Sequence, residues 1–137
     1  MSYILVYAVT LFVSLAMDGI WLTLTHKSIY QPVLGPLMLP HFNPAPAAVF
    51  YALLPIGLMI FAIVPAMKAS SLGNALLFGA LFGAFAYMTY DLTNFATLRG
   101  WTLRLTLVDI AWGTVLCGAA SGIAFLVAPL LGAEFSG

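Results

Sequence analysis

Four apolar runs, at about residues 3–25, 45–66, 72–95 and 105–131, set the terms for this chain. A helix needs roughly 20 apolar residues to cross the hydrocarbon of a bilayer. None of the four alternates polar and apolar residues as a barrel strand would, so each reads as a spanning helix with its backbone polar groups satisfied internally. Composition agrees, because 64% of the 137 residues are hydrophobic and 6% are charged, against about 25% charged in a soluble domain. Such a chain cannot present a solvated surface. The expected fold is all-α and integral to the membrane: one domain, residues 1–137, built as a bundle of four transmembrane helices.

The formal net charge is zero, which gives no reason to expect nucleic acid as a partner. The single cysteine, Cys117, lies inside an apolar run. That excludes an intrachain disulfide and a cysteine metal cage, and suits a small packing residue. The N-terminal run has no basic flank and no small-residue cleavage signal, so it is expected to stay as a membrane anchor.

The connections differ in character. Residues 67–71 and 98–102 are short, which makes their flanking helices antiparallel neighbours. The segment 26–44 carries Pro32, Pro36, Pro40 and Pro44, which argue against a regular helix across it. It is nevertheless apolar, with Ile29, Tyr30, Val33, Leu34, Leu37, Met38, Leu39 and Phe42. It is therefore expected to be a long proline-rich interfacial loop that folds back as a cap. Pro55 should kink the second helix. Gly79 and Gly83 on the third helix, and Gly118 and Gly122 on the fourth, repeat the GxxxG spacing that lets helix backbones approach closely in lipid.

With four spans, both termini share one side of the membrane. The proline-rich segment and the Gly100 turn share the other. The latter side holds Lys27, Arg99 and Arg104, and the former holds Lys68. The positive-inside rule then puts the Gly100 turn in the cytoplasm and both termini outside.

Asp91 and Asp109 each stand nine residues from Gly100, so a tight turn there sets them face to face, about 9 Å inside their helix ends. Asp18, late in the first run, belongs to the same leaflet. A charged side chain within a membrane costs at least about 2.5–3.5 kcal/mol on insertion scales and is expected to face the bundle interior or a wet cavity. Trp21 follows Asp18 by three residues and Trp112 follows Asp109 by three, giving a repeated D-x-x-W step. Tyr87, Tyr90 and Asn94 flank Asp91. The functional reading is a polar pocket lined by Asp18, Asp91, Asn94 and Asp109 with aromatic walls from Trp21, Tyr87 and Trp112. The structural reading is an ion-pair network in which Lys27, Arg99 and Arg104 neutralise the acids.

Other chemistries fit less well. A carboxylate metal site would want histidine at helical positions beside the acids, whereas His26 and His41 lie in the proline-rich segment, so no metal is expected. No lysine sits mid-helix to carry a Schiff base. No Ser-His or Cys-His pair has usable spacing, and no phosphate-cradling loop is present. No cofactor is implied. A proton relay among clustered acids is chemically open, but the opposite leaflet offers few polar groups beyond Thr10, Ser14, Thr114 and Ser121.

The segment 86–114, AYMTYDLTNFATLRGWTLRLTLVDIAWGT, resembles the bacterial family known as domain of unknown function 2177. Asp18 with Trp21, and the apolar stretch 29–34, extend that resemblance over nearly the whole chain. It implies a small four-helix inner-membrane protein and carries no activity. Two functions stay open. One is a non-enzymatic accessory subunit that packs against other membrane subunits or against itself. The other is a membrane enzyme or binding protein for a lipid or another apolar small molecule, using the Asp residues as acid/base or hydrogen-bonding groups. Proton- or cation-coupled transport is a weaker third.

Overall fold

The computed structural model describes residues 1–41 and 43–135, all of them helix or short connection and none of them strand. Phe42, counted above among the apolar residues of the proline-rich segment, lies outside the described residues. Among the described residues, four helices are long and apolar enough to cross a membrane: α1 (Ser2–Leu37), α2 (Pro44–Lys68), α3 (Leu72–Thr97) and α4 (Leu103–Leu131).

The proline-rich segment differs from expectation. Instead of leaving the bundle at His26, α1 continues through a π turn (His26–Tyr30), one α turn (Gln31–Leu34) and a 3-10 turn (Gly35–Leu37). The connection to α2 begins only at Met38. Pro32 and Pro36 each fall where the helical hydrogen-bond register changes, at the start of a short piece, so the missing N–H coincides with a break in the regular ladder. The π turn prepares the first of them, with Gln31 N–H donating to the His26 carbonyl one residue before Pro32. The same device recurs in α2. There the π turn Met59–Ile63 closes with Val64 N–H on the Met59 carbonyl, one residue before Pro65. A widened turn makes room for a ring that would otherwise strike the preceding turn. Only part of the segment turns inward: Tyr30 is half-buried, whereas Leu37, Met38 and Leu39 are exposed.

Side-chain caps start the other helices. Asn43 Oδ1 accepts from Ala45 N–H, Ser71 Oγ from Asn74 N–H and Thr102 Oγ1 from Leu105 N–H, satisfying donors that have no partner within the helix. Between α3 and α4 the chain reverses at Gly100 with φ +82°, a conformation that favours glycine.

The α3–α4 hairpin is packed backbone against backbone. A Cβ at Gly83 would collide with the Gly113 carbonyl, one at Gly79 with Ser121 and the Cys117 carbonyl, and one at Gly113 with the Tyr87 ring. Gly118 and Gly122 form a second seam against Ala80, Leu76 and Leu72. Both glycine pairs are thus used inside the chain. Toward the termini, Ala120, Ala124 and Ala128 of α4 meet Val6, Leu54, Leu58 and Ile63 in one apolar core.

The α2 helix leans. Its first part, Pro44–Leu58, packs on α1, and its principal contact with α3 comes through Met59–Ile63 and Val64–Lys68. There Phe61 stacks on Phe82 with ring centroids 5.8 Å apart. Nearer the Gly100 turn, α2 and α3 diverge. The apolar core therefore fills the half near the termini and leaves a space in the other half.

Candidate functional site

That space is a cavity of about 500 Å³, bounded by all four helices. Asp18 and Leu22 of α1 form one wall with Tyr30 and Leu34. Phe50 and Tyr51 stand on α2, and Ala86, Tyr87, Tyr90 and Asp91 on α3. Trp101, Leu105, Asp109 and Trp112 come from the turn and α4. The volume falls within the roughly 300–1,000 Å³ of small-molecule sites, which combine apolar walls with a few convergent polar groups. Its α2–α3 side carries Phe50 and Tyr90, both substantially exposed.

The acids are held by aromatic side chains. Asp18 accepts from Trp112 Nε1–H at 2.9 Å through Oδ1, and from the Tyr51 hydroxyl through Oδ2. Asp109 Oδ1 accepts from the Tyr30 hydroxyl at 2.7 Å, and the Tyr30 hydroxyl oxygen in turn accepts from Trp21 Nε1–H at 2.8 Å. The Trp21 and Trp112 rings lie parallel, with centroids 4.5 Å apart and an interplanar angle of 6°. The two D-x-x-W steps therefore exchange partners. The tryptophan of α4 serves the acid of α1, and the tryptophan of α1 serves the acid of α4 through Tyr30.

Asp91 is different. It is fully buried, lines the cavity, and neither carboxyl oxygen meets a donor among the described residues. Its carboxyl lies within hydrogen-bonding reach of that of Asp109, so the two can share one proton. Asp91 stands six residues before the end of α3 and Asp109 six after the start of α4, so both are about 9 Å inside their helix ends. Asp18 pairs with Trp112, nearly a turn further in.

Residues 3–126 match the family model described as predicted membrane protein (DUF2177). The chain belongs to this family. Neither a search of the curated proteins nor one of the solved structures finds a match.

Within this DUF2177 protein, the structure gathers Asp18, Tyr87, Asp91, Asp109 and Trp112 around one cavity. Trp21 braces it from behind through the stack and Tyr30. Asn94 is outside the lining, and its backbone carbonyl accepts from Leu98 N–H at the end of α3. Lys27, Arg99 and Arg104 are exposed, and the hydrogen bonds of Asp18 and Asp109 come from phenol and indole groups instead. Among the described residues, no three His, Cys, Asp or Glu side chains gather in a metal-holding arrangement.

Sequence reasoning missed Tyr30, Tyr51 and Trp101 as cavity residues. Tyr30 is hidden in the proline-rich segment, whose helical continuation is what brings it over Asp109. Tyr51 sits in a helix whose apolar residues face all round, so no periodicity marks it. Trp101 follows the turn glycine, where its indole donates to Thr106 Oγ1 at 3.0 Å and its ring meets Tyr90 edge-on.

Proposed function

We propose that this DUF2177 protein is a membrane-embedded binding protein for a small amphipathic molecule, taken up through the side of the bundle between α2 and α3. The observation that carries the reading is Asp91, a fully buried carboxyl whose one polar neighbour among the described residues is another acid, Asp109, at the wall of a cavity of about 500 Å³. Buried polar groups are nearly always paired, and an acid paired with another acid beside a ligand-sized space supports a site that takes up a further partner. An intramembrane ionisable residue is by default a functional residue. The glycine seams, which would otherwise offer a docking groove to a second subunit, are consumed between α3 and α4. That shifts the balance from an accessory subunit toward a binding protein.

The excess of Lys27, Arg99 and Arg104 over Lys68 supports a cytoplasmic Gly100 turn. The cavity then opens into the cytoplasmic leaflet of the bacterial inner membrane.

Filling the cavity tests the reading. Ala86→Trp places an indole in the wall between α2 and α3. Protein purified in mild detergent should carry a small amphipathic molecule, identified by extraction and mass spectrometry, and the variant should carry at least tenfold less. Equal ligand content in both proteins, or no ligand beyond bulk phospholipid in either, overturns the proposal.

A further inference from the structure

Among the described residues, three carboxyl groups border the cavity and no basic side chain does. The donors to Asp18 and Asp109 are neutral phenol and indole groups, which share a negative charge without cancelling it. Asp91 adds a third carboxyl, within hydrogen-bonding reach of Asp109 and without a phenol, indole or basic donor among the described residues. A charge taken out of water is costly unless paired, and two adjacent carboxylates oppose each other. Lys27, Arg99 and Arg104, at the same end of the bundle, are exposed. Even with one proton shared between Asp91 and Asp109, the remaining negative charge at the cavity has no basic partner among the described residues.

The cavity walls suit a positive charge. Tyr51, Tyr87, Tyr90, Trp101 and Trp112 ring the space, and aromatic faces attract cations, most strongly when desolvated. Beyond the acids the lining turns to Leu22, Leu34 and Phe50, which can cover hydrocarbon. A phosphate or carboxylate head group would meet only repulsion there.

On the binding reading above, we infer that the ligand is an organic cation, a protonated or quaternary amine on an apolar body, with its nitrogen beside Asp109 and Asp91 and its body toward the α2–α3 opening.

The test compares two probes of one shape. Benzyltrimethylammonium carries the charge, and neopentylbenzene is its uncharged carbon isostere. Binding to the full chain in detergent is followed by tryptophan fluorescence, since Trp112 and Trp101 line the cavity. The cation should saturate the protein at least tenfold more tightly than the isostere. Asp109→Asn and Asp91→Asn should each weaken the cation at least tenfold and leave the isostere unchanged, which also shows that the variants retain the fold. Lys68→Gln, at the opposite end, should change neither. Equal or tighter binding of the isostere overturns the cation assignment while leaving the binding pocket standing. Saturable binding of neither probe overturns the assignment and the pocket together. A loss in the Asn variants that is equal for both probes refutes a charge-based role for these acids.

Discussion

Asp18 and Trp112, 94 residues apart in the chain, are joined by an indole-to-carboxylate hydrogen bond of 2.9 Å inside the bundle. That bond ties α1 to α4 across the floor of the cavity. It also orders the indole that stacks on Trp21, whose own N–H reaches Tyr30 and through it Asp109. One carboxylate thus positions aromatic side chains on both sides of the site, and a change at either end should be felt at the other.

The tryptophan stack has a spectroscopic consequence. Two parallel indoles 4.5 Å apart are close enough for their transitions to couple, so circular dichroism of the folded protein should show an exciton couplet. Trp21→Phe and Trp112→Phe should each abolish it. Trp101→Phe should preserve it, because that indole pairs with Tyr90 at 5.8 Å and belongs to a separate contact. A couplet that survives in Trp112→Phe would refute the stack.

Removing the Asp18 carboxylate should cost stability in a graded way. It accepts from two donors, Trp112 and Tyr51, and a buried donor left unpaired costs about 1–3 kcal/mol. Asp18→Ala leaves both unpaired, Asp18→Asn keeps one acceptor oxygen, and Tyr51→Phe removes a single donor. Denaturation in detergent should rank the losses Asp18→Ala, then Asp18→Asn, then Tyr51→Phe. Adding Tyr51→Phe to Asp18→Ala should cost less than Tyr51→Phe does alone, because the bond it removes is already gone.

How far the sequence reaches can be judged residue by residue. The four spans follow from apolar length, which any bilayer-crossing helix must have. The symmetric placement of Asp91 and Asp109 follows from the Gly100 turn, because a hairpin of two straight helices fixes depth by counting. The path of α1 does not follow. Pro32 looks like a break, yet a π turn before it lets the helix run on, as one before Pro65 does within the expected second span, and nothing in composition distinguishes a proline so accommodated. The partner exchange between the two D-x-x-W steps was equally hidden. Spacing places a tryptophan near its own acid on one helix, whereas the rotation of α1 against α4 decides which acid its N–H meets.

Glycine substitutions separate close packing from mere composition. Gly83 faces the Gly113 carbonyl, a backbone atom that cannot move aside, whereas a Cβ at Gly19 would meet nothing within 4 Å. Overpacking a tight seam costs about 1–3 kcal/mol or more, and alanine is the better helix former at an open site by about 1 kcal/mol. Gly83→Ala should therefore lower the unfolding midpoint, and Gly19→Ala should leave it unchanged or raise it. Equal effects at the two positions would mean that α3 and α4 do not touch at Gly83.

The orientation proposed from the basic residues yields a labelling experiment with opposite outcomes at the two ends. Ala69 lies in the exposed turn between α2 and α3, and Leu98 lies in the turn between α3 and α4. These connections are on opposite sides of the membrane, because α3 spans it between them. The native Cys117 is fully buried and should stay silent toward a membrane-impermeant maleimide, so no cysteine needs removing. Ala69→Cys should react in intact cells, once the outer membrane admits the reagent. Leu98→Cys should react only after the inner membrane is opened. The reverse pattern would turn the bundle over and move the cavity, with Asp91 and its neighbours, to the periplasmic leaflet. The geometry of the cavity would be unchanged, but the ligand proposed for it would arrive from outside the cell.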